Sequence, residues 1–172
     1  WQLLARRKGA SLRYIEMDSQ GRLILDDLPS LLSERTKVVA LGHVSNALGT
    51  VNPIKDIAAA AHEVGALVVV DGAQGAVHTK VDVQDLGVDC YAFSGHKMCS
   101  PTGIGALWAR KNLLESMSPY QGGGEMIHFV GREESTWAKV PHKFEAGTPN
   151  IAGAIGMGAA VDFLAGVGMD AI

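Results

Sequence analysis

Apolar runs that alternate with helical spacings predict an α/β fold, a three-layer α/β/α arrangement whose sheet is mostly parallel. Three observations carry that expectation. Lys37-Val38-Val39-Ala40-Leu41 reads as a buried strand. Next, Ile57, Ala60, Ala61 and Val64 share one helical face, with Pro53 placed to suit the first turn and Gly65 to end it. Leu67-Val68-Val69-Val70 is then a continuous apolar run that stops abruptly at Asp71. Strand, helix and strand at this spacing imply a right-handed crossover and a parallel pair buried on both faces. The 172 residues suit one domain, and a hydrophobic content of 47% is enough to build a sizeable core.

The remaining elements follow in chain order. Trp1 to Gly9 has a helical apolar face, basic residues in its last turn and a glycine stop, but no capping residue ahead of it, so the sequence reads as beginning inside a helix. Ser11 to Met17 alternates like a strand, and Asp18-Ser19-Gln20-Gly21 is a turn. Leucines at helical spacing occupy Leu25 to Ser33, with Asp26 or Asp27 near the start. The polar, glycine-containing stretch His43 to Thr50 is a loop at a strand's carboxyl end. Val88 to Phe93 has the β-branched and aromatic content of a short buried strand, and Ala152 to Ala165 reads as an apolar helix. With no polar tail after it, the chain is expected to be an internal piece of a longer protein.

Composition narrows the function classes. Fifteen Lys and Arg against eighteen Asp and Glu give a net charge of -3, and no basic block is present. Neither a nucleic-acid partner nor an anionic membrane surface is expected. Apolar runs are too short to span a bilayer and no signal-peptide pattern opens the sequence, so a cytoplasmic protein is expected. Cys90 and Cys99 fall in no paired spacing, which suits a reducing compartment. The six histidines lack ligand spacing, and no metal site is assigned.

Two strand ends carry chemistry. Phe93-Ser94-Gly95-His96-Lys97 closes an apolar run with a hydroxyl, a glycine, an imidazole and an amine. In an open α/β sheet the crevice at the carboxyl ends of the strands is where ligands bind. Lys97 is either an ordinary strand-end lysine facing water or an amine used to form a Schiff base. Ser94 and His96 supply donors suited to phosphate, and Gly95 lets the backbone approach closely. Asp71, 26 positions earlier, closes a buried parallel strand and needs a cation or a donor. A pyridine nitrogen would satisfy it, since a carboxylate there keeps the ring protonated; a helix cap or a basic side chain would satisfy it equally. Gln74 either reaches a ring oxygen or supports the loop. A Ser-His-Asp hydrolase built from Ser94, His96 and Asp71 is disfavoured, because no G-x-S-x-G elbow is present.

The stretches His43-Val44-Ser45-Asn46, Asp71-Gly72-Ala73-Gln74, Ser94-Gly95-His96-Lys97, Pro101 to Gly105, Gly122 to Ile127 and Phe144 to Asn150 resemble the cysteine desulfurases of the Suf type. Those enzymes stand with the selenocysteine lyases in class V of the aminotransferase superfamily. The resemblance runs from end to end of the chain but covers only the middle of such an enzyme. It implies that residues 1–172 are most of the large domain of a fold-type I pyridoxal-phosphate enzyme, without the parent's N-terminal segment and C-terminal small domain.

By the same resemblance, Lys97 matches the catalytic Schiff-base lysine and Asp71 the acid that pairs with the pyridine nitrogen. Asn46 and Gln74 match contacts to the side of the ring, Ser94 and His96 match phosphate ligands, and Thr148 matches a threonine that reaches the phosphate of a neighbouring subunit. The implied activity is release of sulfur from L-cysteine, or selenium from L-selenocysteine, by a homodimer that serves iron–sulfur cluster assembly through a sulfur-acceptor protein. Another class V aminotransferase or lyase, or a non-catalytic cofactor-binding piece, would use the same Asp71 and Lys97. The family's persulfide cysteine lies further toward the carboxyl terminus, so neither Cys90 nor Cys99 is given that role. Glycine is usual in the family where Ser100 stands here. Without the resemblance, Gly122 to Gly124 reads equally as a linker or as a loop over a site, and Thr148 before Pro149 as a turn residue. Trp1 and Trp137 read as packing aromatics.

Overall fold

The computed structural model describes all of residues 1–172. Its main sheet has four strands: β1 (Val38–Gly42), β2 (Leu67–Asp71), β3 (Cys90–Ser94) and β4 (Gly105–Ala109), adjacent in that order. The first three are parallel and β4 runs antiparallel to β3, so the sheet is mostly parallel and the fold is α/β, as the sequence predicts. Its helices are α1 (Gln2–Lys8), α2 (Leu28–Leu31), α3 (Ile54–Glu63), α4 (Gly75–His78), α5 (Lys111–Ser116) and α6 (Ile151–Val167). A separate two-stranded sheet pairs β5 (Ile127–Val130) with β6 (Ser135–Trp137).

Strand register sorts the side chains into two sets. Gly42, Asp71 and Ala92 lie side by side across β1, β2 and β3, and Leu41, Val70 and Tyr91 form the neighbouring row. Successive residues of a strand point to opposite faces. The row with Val70 and Tyr91 therefore faces away from the row with Asp71. On the Val70 side lies the core: Ile54, Ala58 and Ala61 of α3 pack with Ala66, Val68, Val70, Val88 and Tyr91. The α3 residues recur at helical spacing, which explains why this stretch settles as a helix against the sheet. Each fully buried Val or Ile there contributes roughly 1.5–3 kcal/mol relative to exposure.

Trp1 and Trp137, read as packing aromatics, are exposed, and two expected elements do not form as predicted. Ser11 to Met17 forms no strand, only a single bridge between Met17 and Leu23, because no neighbouring strand is available to complete a ladder. The helix expected over Leu25 to Ser33 shrinks to α2, which begins after Asp27 and carries Pro29 in its first turn. Helix α6 forms over nearly the residues predicted, and Asn150 caps it by accepting from the Gly153 amide at 2.9 Å.

The end of the sheet where β3 begins is held by charge. Asp89 is buried, accepts from the Val68 amide and from His62 Nε2, both at 2.8 Å, and forms an ion pair with Arg110, whose Nε lies 3.0 Å from Oδ1. Arg110 also donates to the carbonyls of Val88 and Gly87. One carboxylate thus ties α3, β2 and the residue following β4 to the start of β3. Asp89 is buried, but His62 and Arg110 are 37% and 44% exposed, so losing Asp89 costs mainly its hydrogen bonds and leaves two side chains that water can solvate. Asp89→Ala is expected to lower unfolding free energy by about 2 kcal/mol; a urea midpoint equal to the unmodified protein would show that the set contributes nothing net.

Candidate active site

The carboxyl ends of β1, β2 and β3 open onto a cleft of about 680 Å³. Small residues, Ala40, Gly42, Ala73 and Ala92, form part of its walls, and Asp71, Ser94, His96 and Lys97 bring polar groups to it. Lys97 lies on a short 3₁₀ turn, Gly95–Met98, directly after β3. The sequence expectation that two strand ends bring Asp71 and Lys97 to the same edge is met.

Each member is placed by local backbone structure. Asp71 ends β2, and its Oδ1 accepts the Ala73 amide at 2.9 Å, the short-range turn that aspartate favours. The Gly72 amide donates to the Ala92 carbonyl at 2.7 Å and continues the β2–β3 ladder past Asp71. On the other side, the His43 amide donates to the Asp71 carbonyl at 2.8 Å. The Lys97 turn closes through the Gly95 amide, which donates to the Ile104 carbonyl at 2.9 Å, and the Ser100 amide, which donates to the Gly95 carbonyl at 3.2 Å.

Charge at the cleft is left open. The ion pairs of the structure involve Asp18, Asp85, Asp89 and Glu115, and Asp71 and Lys97 belong to none of them. Asp71 has a donor from its own turn and no cation, although a strand-end acid at a cleft favours one. Gln74 Nε2 donates to Asn46 Oδ1, so the loop after β1 and the turn after β2 are joined by their amide side chains. Asn46 is exposed and Gln74 half-buried; neither lines the cleft itself. Thr148 is exposed, just ahead of the α6 cap, and stands apart from the cleft walls.

An apolar floor of small residues with a carboxylate, an amine, a hydroxyl and an imidazole around it suits a flat aromatic ring that carries a cationic nitrogen, an aldehyde and a phosphate. That is the donor set pyridoxal phosphate requires, so the residues present fit the group.

Beneath the Asp71 turn lies a pair that the motifs did not single out. Tyr91 Oη and His43 Nδ1 are 2.9 Å apart, both residues are buried, and their rings meet edge to face with centroids 5.9 Å apart. Burial, and then the neighbouring Asp71 charge, push the Tyr91 hydroxyl up to about 12. Burial lowers the pKa of His43, which favours the neutral ring. The glycines at positions 72 and 75 were the available signal, since both pack onto this pair.

Comparison with known proteins places these observations in context. The sequence profile of the family described as Aminotransferase class-V matches residues 1–172. The chain is 56% identical over 172 residues to a probable cysteine desulfurase of Halalkalibacterium halodurans, covering all of this chain and 42% of that protein. It superposes on the crystal structure of the cysteine desulfurase CsdA of Escherichia coli with a TM-score of 0.96 and 44% identity, over 99% of this chain and 43% of that one. A variant of the cystine C-S lyase C-DES, with glycine covalently linked to its pyridoxal phosphate, gives a TM-score of 0.81 at 29% identity, over 97% of this chain and 46% of that one. The chain therefore spans less than half the length of the relatives it matches.

Folding holds the Tyr91 proton more tightly than the unfolded chain does, because its pKa rises from 10.0 to about 12. Its contribution is full below pH 10 and is lost as pH rises from about 10 to about 12, on the order of 2–3 kcal/mol. Urea midpoints across that window are expected to fall more steeply for the unmodified protein than for Tyr91→Phe; parallel curves would refute the assignment.

Proposed function

The chain belongs to the aminotransferase class-V family, and on that premise we propose that it is most of the pyridoxal-phosphate-binding large domain of a cysteine desulfurase. The observation that carries this reading is the cleft that holds the Asp71 carboxylate and the Lys97 amine with no ion-pair partner for either. The names of the similar proteins support cysteine as substrate. The fit of the donor set, together with the cofactor carried by C-DES, supports pyridoxal phosphate.

When bound, pyridoxal phosphate supplies an electron sink for a carbanion at the substrate's α-carbon. The rest is work for this chain's side chains. Lys97 Nζ would hold the cofactor and, as a free amine, would take the proton from the substrate's Cα. Asp71 keeps the proton on the ring nitrogen. By the family resemblance Gln74, hydrogen-bonded to Asn46 beside the cleft, would turn its remaining amide hydrogen toward the ring's oxygen. Ser94 and His96 receive the phosphate. The family resemblance gives Thr148 to the phosphate site of a second subunit, and its exposure away from this cleft supports a homodimer as the functional unit.

Sulfur transfer to a cysteine and then to an acceptor protein needs a thiol that we do not assign to Cys90 or Cys99. Cys90 is buried in β3, where burial and the neighbouring Asp89 raise its pKa and favour the inert thiol. Both cysteines are free thiols, which supports a cytoplasmic setting. No helix of the structure is long and apolar enough to cross a membrane.

Two substitutions test the roles in the complete protein. After borohydride reduction, mass spectrometry is expected to find pyridoxal phosphate fixed on Lys97 and to find none in Lys97→Ala; a label that persists in the variant would remove Lys97 from the role. Asp71→Asn is expected to retain cofactor while slowing exchange of the substrate's α-proton at least about 100-fold. Exchange at the unmodified rate would leave Asp71 no part in stabilising the carbanion.

A further inference from the structure

Asp71 is useful to a ring nitrogen only if its carboxylate leaves the end of β2 in one fixed direction, and the residues that fix it lie on the opposite side of the sheet. Gly72 and Val70 share a face, and that face holds the Tyr91 ring. A Cβ at Gly72 would lie 1.9 Å from Tyr91 Cε1 and 2.1 Å from its Cζ. One at Gly75 would lie 2.5 Å from His43 Nδ1 and 2.6 Å from Tyr91 Oη. The turn from Asp71 to Gly75 is therefore seated in van der Waals contact on a platform made by two side chains.

The platform is itself held together. A buried phenol must find a partner, and the one Tyr91 has is His43 Nδ1 at 2.9 Å. In the neutral imidazole with its proton on Nε2, the hydroxyl donates and Nδ1 accepts. His43 is in turn fixed at its backbone: its amide donates to the Asp71 carbonyl and its carbonyl accepts the Asn52 amide, both at 2.8 Å. His43 thus touches the Asp71 turn twice, through its main chain beside the turn and through its ring beneath it.

We infer that His43 and Tyr91 form a positioning pair that sets the direction of the Asp71 carboxylate for the cofactor ring. Neither residue is a catalytic residue, for neither lines the cleft. The inference rests on reading the cleft as the pyridoxal-phosphate site. It assigns function to two residues whose burial alone would class them as packing.

Three variants of the complete protein decide it, read by amide hydrogen exchange without cofactor and by affinity for added pyridoxal phosphate. Tyr91→Phe keeps the ring under Gly72 and removes only the hydroxyl. Exchange over Asp71–Gln74 is expected to rise, and affinity to fall, by about five- to tenfold, the size of one net hydrogen bond. His43→Ala is expected to do at least as much. His43→Asn, whose Oδ1 replaces the accepting Nδ1, is expected to restore both readings to near the unmodified values.

A merely structural role would lower the melting temperature and leave affinity and local exchange where they were. Tyr91→Phe with unmodified exchange over this turn, or with unmodified affinity, would overturn the inference. Failure of the underlying reading looks different: the unmodified protein would then bind no pyridoxal phosphate at Lys97. The exchange comparison needs no cofactor, so it would still show whether the pair holds the turn.

Discussion

The space beneath Gly72 is filled by the ring of Tyr91, and the geometry of the cleft depends on that exclusion. Strand alternation sends Val70 and Gly72 to one face and Asp71 to the other. Because the Tyr91 face has no room even for a methyl group at position 72, the turn cannot roll toward the core without unpacking a buried aromatic. Asp71 is thereby confined to the opposite face, in the register row it shares with Gly42 and Ala92. The lack of a side chain at Gly42 and the small one at Ala92 leave open the volume into which the carboxylate looks. A core contact and a vacant floor are two faces of one register.

Stability and chemistry are separated along the same strand. At the start of β3, Asp89 accepts from an amide and an imidazole and pairs with a guanidinium, and every buried polar side-chain atom of the protein has a partner. Past the end of β3, Lys97 forms no ion pair, and across the cleft Asp71 has only the amide of its own turn. Asp71 is exposed and Lys97 half-buried, so water can carry both charges where they stand. A carboxylate and an amine that open onto one cleft and remain unpaired are poised for a group that bears complementary charges. The satisfied end anchors the sheet so that the unsatisfied end can be held still.

Much of this was legible before any coordinates. The Leu67–Val70 run and the apolar face of α3 are local patterns that tertiary packing preserved, because Val68 and Val70 are buried against Ile54, Ala58 and Ala61. Ser11 to Met17 shows where local pattern fails: alternation describes a side chain's preference, whereas a strand requires a neighbour, and none lies beside it. Leu25 to Ser33 had leucines at helical spacing, but Pro29 and the absence of an Asp27 side-chain cap leave only four helical residues. The Tyr91 and His43 pair was out of reach for another reason. The two are 48 residues apart and meet only through the registers of β1 on β2 and β2 on β3, while the glycines that accommodate them read as ordinary turn residues.

Ser100, where the resembled family usually has glycine, raises the question of whether the Lys97 turn is altered. Its closure is a matter of backbone: the Gly95 amide reaches Ile104 and the Ser100 amide returns to Gly95. The left-handed conformation that the turn needs falls at Cys99, with φ 62°, and not at Ser100. A serine at 100 therefore meets no conformational penalty of its own. Its hydroxyl instead occupies the space beside Gly95, where a Cβ would come within 2.9 Å of Ser100 Oγ and of Ile104 Cγ2. The strain of about 1 kcal/mol that a non-glycine residue carries in the left-handed region sits two residues from Lys97. It is sustained because Gly95 is locked on both sides, and the lock depends on glycine at 95 far more than on the residue at 100.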